Sequence, residues 1–228
     1  MKEELKDTTV PAVMDKDMSR RRFLGFAGIT GAGLFIASCN DDDDPKPADN
    51  DGINLGSADA GLLNYALALK QLTAAFYVKA SSPLPGGMTE LEGEMLTQIR
   101  DHELAHREFF RALLQDKAIG DLEFDFDSVD FGNRDSVLSK AKELETLSIG
   151  AFLGVAKLFI TPDYSMSVMK IASVEGRHAA YVSHTLAPGN FADMSDGNAL
   201  DEVLTPDEVL SMADKYFKTK VSGEDLPN

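Results

Sequence analysis

The sequence has 228 residues, with 22 lysines and arginines against 38 aspartates and glutamates, one cysteine, four histidines and no tryptophan. A formal net charge of −16 excludes nucleic acid as a natural partner, because a phosphate backbone is bound by clustered cations. A single cysteine excludes an internal disulfide framework and any cysteine-rich zinc or iron–sulfur centre, and the length fits one domain of about 100–200 residues.

Residues 1–38 read as an export signal rather than as part of the fold. A basic cluster, Ser19-Arg20-Arg21-Arg22-Phe23-Leu24, precedes an uncharged run of 16 residues from Phe23 to Ser38. That run is shorter than the roughly 20 residues of a membrane span and suits a secretory h-region. The pattern resembles the twin-arginine export signal, with Arg20 and Arg21 as the pair; a Sec signal with additional arginines is the alternative. Ile36-Ala37-Ser38-Cys39 resembles a bacterial lipobox, in which Cys39 becomes the lipidated N terminus. The expected location is the cell envelope, lipid-anchored on the periplasmic face or the outer surface of the outer membrane. Residues 39–54 follow as an acidic linker. Asn40–Asp51 holds six Asp, one Lys and two Pro and nothing apolar larger than Ala, so it cannot form a core.

Residues 55–222 show long helical periodicities and no strand-like alternation of useful length. The first predicted helix covers about Ala58 to Ala80, with Leu62, Tyr65, Leu69, Leu72 and Phe76 at three- and four-residue steps. The second runs from about Thr89, an N-cap with Glu92 three residues on, to about Lys117. A loop from Ala118 to Asn133 alternates Asp with Phe and is expected to tuck aromatic rings under the bundle. The third helix spans about Asp135 to Phe159; Thr161-Pro162 resets the chain, and the fourth covers about Pro162 to Leu186. Pro188-Gly189 breaks it, and a short helix capped by Thr205-Pro206 ends near Phe217. The expected fold is all-α: a four-helix bundle with short connections and a short additional C-terminal helix. Charged residues in every helix exclude a helical membrane protein.

Two of these helices repeat one motif. The second reads Ile99-x-x-x-Glu103-x-x-His106-x-x-Phe109, and the fourth Ile171-x-x-x-Glu175-x-x-His178-x-x-Tyr181. Spacing i, i+3 sets carboxylate and imidazole one turn apart on one face, and that face is the apolar one. Inward carboxylates are costly unless paired or metal-bound, and duplicated Glu-x-x-His is how carboxylate di-metal sites are assembled in bundles. Hard oxygens with one imidazole per ion suit iron or manganese, with zinc a further fit. The third helix offers Glu145 on the stripe Ala141, Glu145, Ser148, Phe152, with Glu143 turned about 200° away. The first helix contains no Glu. At the matching depth its stripe Leu63, Ala66, Lys70, Thr73, Tyr77 carries a lysine. His102 points about 100° from Glu103, a surface or ligand-supporting place rather than a ligand's, and His184 reads as a helix-end histidine.

The chain resembles the ferritin-like superfamily, in particular bacterial exported ferritin-like proteins related to plant desiccation-associated proteins. The resemblance rests on Leu63–Leu69 with Phe76-Tyr77, on His102-Glu103-Leu104-Ala105-His106, on Ala141 through Glu145 to Gly154, and on Val174-Glu175-Gly176-Arg177-His178-Ala179, and spans about residues 57–186. It implies that Glu103 and Glu175 bridge two metals, that His106 and His178 bind one each, and that Glu145 is a terminal ligand. Tyr77 resembles the family's first-helix tyrosine near the metals, as a packing or redox residue. The departure is Lys70, where the family has Glu. A lysine ammonium there replaces one cation, which predicts one ion at Glu103, Glu145, Glu175 and His178 with Lys70 in the second position.

Two readings follow. One is an exported lipoprotein holding one or two iron or manganese ions, for metal handling or oxidative and stress protection; any activity would be weak oxidoreductase chemistry of ferroxidase or peroxidase type. The other is a non-catalytic envelope protein without metal, in which Lys70 completes a salt-bridge network. A homo-oligomer is compatible with either, and a closed cage is not expected from lipid-anchored subunits.

Overall fold

The computed structural model of the chain describes residues 52–192 and 199–228. The expected export signal with Arg20, Arg21 and Cys39, and the acidic linker up to Asp51, lie outside the described residues. Four long helices form the body: α1 (Ala58–Ala80), α2 (Glu90–Leu114), α3 (Arg134–Ala156) and α4 (Pro162–Leu186), followed by the short α5 (Pro206–Ala213). The fold is all-α, a four-helix bundle with an extra C-terminal helix. Among the described residues, no helix is long and apolar enough to cross a membrane.

Local chemistry sets the helix ends. Thr89 accepts from the Glu92 amide while the Glu92 carboxylate accepts from the Thr89 amide, the reciprocal capping box its sequence announces. Thr205 and Glu208 repeat it at α5, and Asn133 accepts from the Ser136 amide to open α3. The α2 helix ends at Leu114 rather than at Lys117: Gln115 takes a φ of +54°, and a single 3-10 turn covers Gln115–Lys117. The α3 helix likewise stops at Ala156, short of the expected Phe159.

Chain direction follows from two polar ties. Arg134 at the start of α3 bonds Glu92 at the start of α2 and the Thr185 carbonyl at the end of α4. Asp59 at the start of α1 accepts from the amides of Ile160 and Thr161, at 2.7 and 3.0 Å, in the α3–α4 turn. The α2 and α3 helices therefore both begin at one end of the bundle and run the same way. The connection between them, residues 115–133, must travel the bundle's length, unlike the short connections the sequence led one to expect. A 25-residue helix is about 37 Å long, and 19 residues of extended chain reach about 60 Å, so the crossover has length to spare.

That crossover is held by α1, which is buried on nearly every side. Its amides serve as clamps: Asn64 donates to the Leu55 and Lys117 carbonyls and accepts from the Ile119 amide. Gln71 donates to the Gly120 carbonyl and accepts from the Leu122 amide. Phe126 and Phe131 then pack on Phe76, with centroids 5.9 and 5.8 Å apart, so the Asp/Phe loop does tuck its rings inward. Burying rings of this size stabilises by about 1.5–3 kcal/mol each. The C-terminal tail closes over the loop: Phe124 pairs with Phe217, and Ile53–Asn54 forms a parallel two-residue pairing with Val221–Ser222. No sequence alternation announces strands two residues long.

Candidate metal centre

The predicted inner stripes all face the middle of the bundle. Lys70, Thr73 and Tyr77 from α1, Glu103 from α2, Glu145 from α3, and Glu175 and His178 from α4 are buried there, and His106 reaches the same cluster with 15% of its side chain exposed. The off-stripe Glu143 is outside, bonded instead to Lys140, Lys215 and the Tyr216 hydroxyl.

The two Glu-x-x-His carboxylates divide their oxygens. On one side, Lys70 Nζ donates to Glu103 Oε2 at 2.7 Å and to Glu175 Oε2, and Thr73 Oγ1 also donates to Glu103 Oε2. The ammonium lies 5.2 Å from the Phe152 ring centroid. On the other side, Glu103 Oε1 and Glu175 Oε1 face imidazoles. His178 Nδ1 lies 3.4 Å from both Glu103 Oε1 and Glu145 Oε2, and His106 Nδ1 lies 3.1 Å from Glu175 Oε1 and 3.8 Å from Glu103 Oε1. None of these approaches has hydrogen-bond geometry. Glu103 Oε1, Glu175 Oε1, both oxygens of Glu145 and the Nδ1 atoms of both histidines are buried without a hydrogen-bond partner among the described residues.

Electrostatics follows this division. Burial alone would favour the neutral amine of Lys70, but the charges of Glu103, Glu175 and Glu145 outweigh it and hold its pKa above the ordinary lysine value. Burial would likewise raise Glu103; Lys70 and the two imidazoles pull it well below the usual carboxylate range instead. Burial and the neighbouring Glu103 and Glu175 push Glu145 up to about 7, with His178 offsetting them only in part. His178 is raised to about 10, since Glu103 and Glu145 overcome its burial, and His106 is raised for the same reason by Glu103 and Glu175. Burial and then Glu145 raise the phenol of Tyr77, whose hydroxyl has no partner.

The donor set suits a metal ion. One atom each from Glu103, Glu145, Glu175 and His178 lies within 4.8 Å of all the others. Donors around a tetrahedral ion bound at 2.0–2.2 Å stand about 3.3–3.6 Å apart, so the group, spread over as much as 4.8 Å, would draw in by about an ångström across its widest pair to close on an ion. Three carboxylates, one ammonium and one divalent ion balance with both imidazoles neutral. His106 is outside that set of four.

Two contacts have partners that helical periodicity does not name. Thr73, on the inner stripe of α1, bonds Glu103. His102, exposed on α2, reaches across to α4, where its Nδ1 shares a 3.0 Å hydrogen bond with His178 Nε2. A helical wheel gives the direction of His102 but not the neighbour it meets. His184 caps its own helix end, accepting from the Gly189 amide at 3.0 Å.

A family model described as a ferritin-like domain matches residues 58–188, from the first residue of α1 to just past α4. No curated protein matches the chain.

Proposed function

We propose, for a chain that belongs to the ferritin-like domain family, that the bundle holds one divalent ion at Glu103, Glu145, Glu175 and His178, with Lys70 in place of a second. The observation that carries this reading is the convergence of buried, unpartnered donors on the Oε1 side of Glu103 and Glu175 while Lys70 occupies their Oε2 side. Buried polar atoms are rarely left without partners, and here four residues bring ligand atoms within 4.8 Å of one another. Three oxygens and one imidazole suit iron or manganese, and also zinc. An iron or manganese ion would supply one-electron chemistry, so ferroxidase or peroxide-removing activity is the enzymatic form of this reading and metal handling the non-enzymatic one. Glu103, Glu145, Glu175 and His178 would bind the ion, and Lys70 supplies a single positive charge in the place of a second. His106 stands beside the ion's ligands, with Nδ1 3.1 Å from Glu175 Oε1, and outside the group of four.

The export motif with Arg20 and Arg21, and the lipobox ending at Cys39, support an envelope lipoprotein, anchored by lipid and acting outside the cytoplasm, and the resemblance of the four helical motifs supports the desiccation-associated type. Fatty-acid labelling that disappears in Cys39→Ala tests the anchor. Metal analysis of protein equilibrated with Fe(II), Mn(II) or Zn(II) tests the site: one equivalent per chain is expected, and two or none overturns the reading.

A second reading is favoured by the same ammonium. With both imidazoles protonated, Lys70, His106 and His178 balance the three carboxylates, and the cluster is a metal-free ion-pair network in an envelope protein without catalysis. A result of no bound metal selects it.

A further inference from the structure

The helical wheel turns His102 away from the inner stripe, and the residue is exposed, yet its ring lies against the one imidazole of the four-ligand group. The two rings are 5.2 Å apart at 15° to one another, and the contact joins His102 Nδ1 on α2 to His178 Nε2 on α4 at 3.0 Å. One nitrogen of each ring meets the other ring, and only one of the two can carry the proton between them.

The other nitrogen of His178 decides which. His178 Nδ1 stands 3.4 Å from Glu103 Oε1 and from Glu145 Oε2, without hydrogen-bond alignment to either. Were His102 to donate, a neutral His178 would carry its proton on Nδ1, aimed between two carboxylates it does not bond and unable to bind an ion. Were His178 to donate through Nε2, its Nδ1 lone pair would face the carboxylate oxygens, an arrangement that an ion between them stabilises and in which Nδ1 is free to ligate. An imidazole ligand commonly has its far N–H held by an acceptor, and removal of that acceptor typically costs 10–100-fold in affinity.

We infer that His102 is a positioning residue for His178: its Nδ1 accepts from His178 Nε2–H, fixing the tautomer and ring orientation that turn His178 Nδ1 to the cluster. The inference rests on the one-ion reading for its consequence and on the two-ring contact for its geometry. It assigns to an exposed residue of α2 part of the affinity of a site otherwise closed inside the bundle.

The test compares wild type, His102→Leu and His102→Gln by Zn(II) competition against a chelator and by long-range proton–nitrogen spectra of the imidazoles, with and without Zn(II). Wild type is expected to show His178 protonated at Nε2 and His102 unprotonated at Nδ1. His102→Leu should weaken Zn(II) binding about 10–100-fold, and His102→Gln, whose amide oxygen accepts, should recover most of the loss. Unchanged affinity in His102→Leu, or a proton on His102 Nδ1 in wild type, overturns the inference. If wild type binds no Zn(II), the one-ion reading falls by itself. The metal-free spectra then still decide: His178 protonated at Nε2 alone upholds the inference, and a proton on His178 Nδ1 or on His102 Nδ1 overturns it.

Discussion

Lys70 and Glu103 meet at 2.7 Å with neither side chain exposed, and the same ammonium bonds Glu175. A cation is thereby fixed between the two carboxylates that would bridge a pair of metals, and it occupies one oxygen of each. The buried lysine is not a mere passenger in the core. It keeps Glu103 ionised at a depth where burial alone would neutralise it, and it limits the number of further positive charges the site accepts.

Replacement of Lys70 should separate these two effects. Lys70→Met leaves Glu103 and Glu175 buried without their common partner, and loss of one member of such a group costs about 3–5 kcal/mol. Lys70→Glu does the same in metal-free protein while adding a fourth carboxylate, so it should be the less stable variant until metal is supplied. With Fe(II) or Mn(II) it should take up a second equivalent and regain its midpoint in urea. If Lys70→Glu is no less stable than wild type without metal, the structural weight given to the ammonium is wrong.

Thr73 offers a milder probe of Glu103. Its hydroxyl donates to the same Oε2 that receives Lys70, and a hydrogen bond to a charged group contributes about 1.5–3 kcal/mol. Thr73→Val, which preserves shape, should lose that amount in urea denaturation, and Thr73→Ser should lose little. Equal losses in the two would assign the effect to packing rather than to the hydroxyl.

The inward residues were legible in the sequence because each is set by the period of a single helix. Lys70, Glu103, Glu145, Glu175 and His178 fall on apolar stripes at three- and four-residue steps, and all five are buried. The lack of any Glu in the first helix was equally plain. Contacts that depend on what a second element brings were not legible. His102 meets His178 because α2 and α4 approach at that level, and Tyr216 reaches Glu143 from a tail 73 residues away. The direction of α3 was hidden as well, since nothing in the Asp/Phe loop states that it runs the length of the bundle. Asn64 and Gln71, whose amides fix that course, look in the sequence like polar interruptions of an apolar helix.

The tail should be separable from the metal centre. A Cβ on Gly154 would stand 1.8 Å from the Leu204 carbonyl oxygen, and Leu204 is tied to α3 through its amide to the Gly150 carbonyl at 3.1 Å. Gly154→Ala must therefore displace the segment leading into α5. A Cβ on Gly176 would meet nothing within 4 Å, so Gly176→Ala should gain about 0.5–1 kcal/mol by helix propensity alone. Thermal denaturation should move in opposite directions for the two, with amide exchange in residues 204–216 faster only in Gly154→Ala. Metal stoichiometry should be the same in both, because neither side chain reaches the ligand oxygens.

Acid should loosen the end of the bundle where α2, α3 and α4 meet. The hydrogen bonds from Arg134 lower the Glu92 pKa from 4.5 to about 2, further helped by the Thr89 amide. A carboxyl lowered in the folded state stabilises fully above its unfolded pKa and loses that contribution as pH falls through the folded one. The Glu92–Arg134 pair should thus contribute in full above about pH 4.5 and fade as the pH approaches 2. Arg134→Met removes the guanidinium and leaves the capping box of α2 intact. A partly exposed pair of this kind contributes up to about 1 kcal/mol. The stability gap between wild type and Arg134→Met, measured in urea from pH 6 downward, should be widest above pH 4.5. It should then shrink towards the part due to the Thr185 carbonyl, which does not titrate. A gap independent of pH across that window would show that Arg134 acts through Thr185 and not through the Glu92 charge.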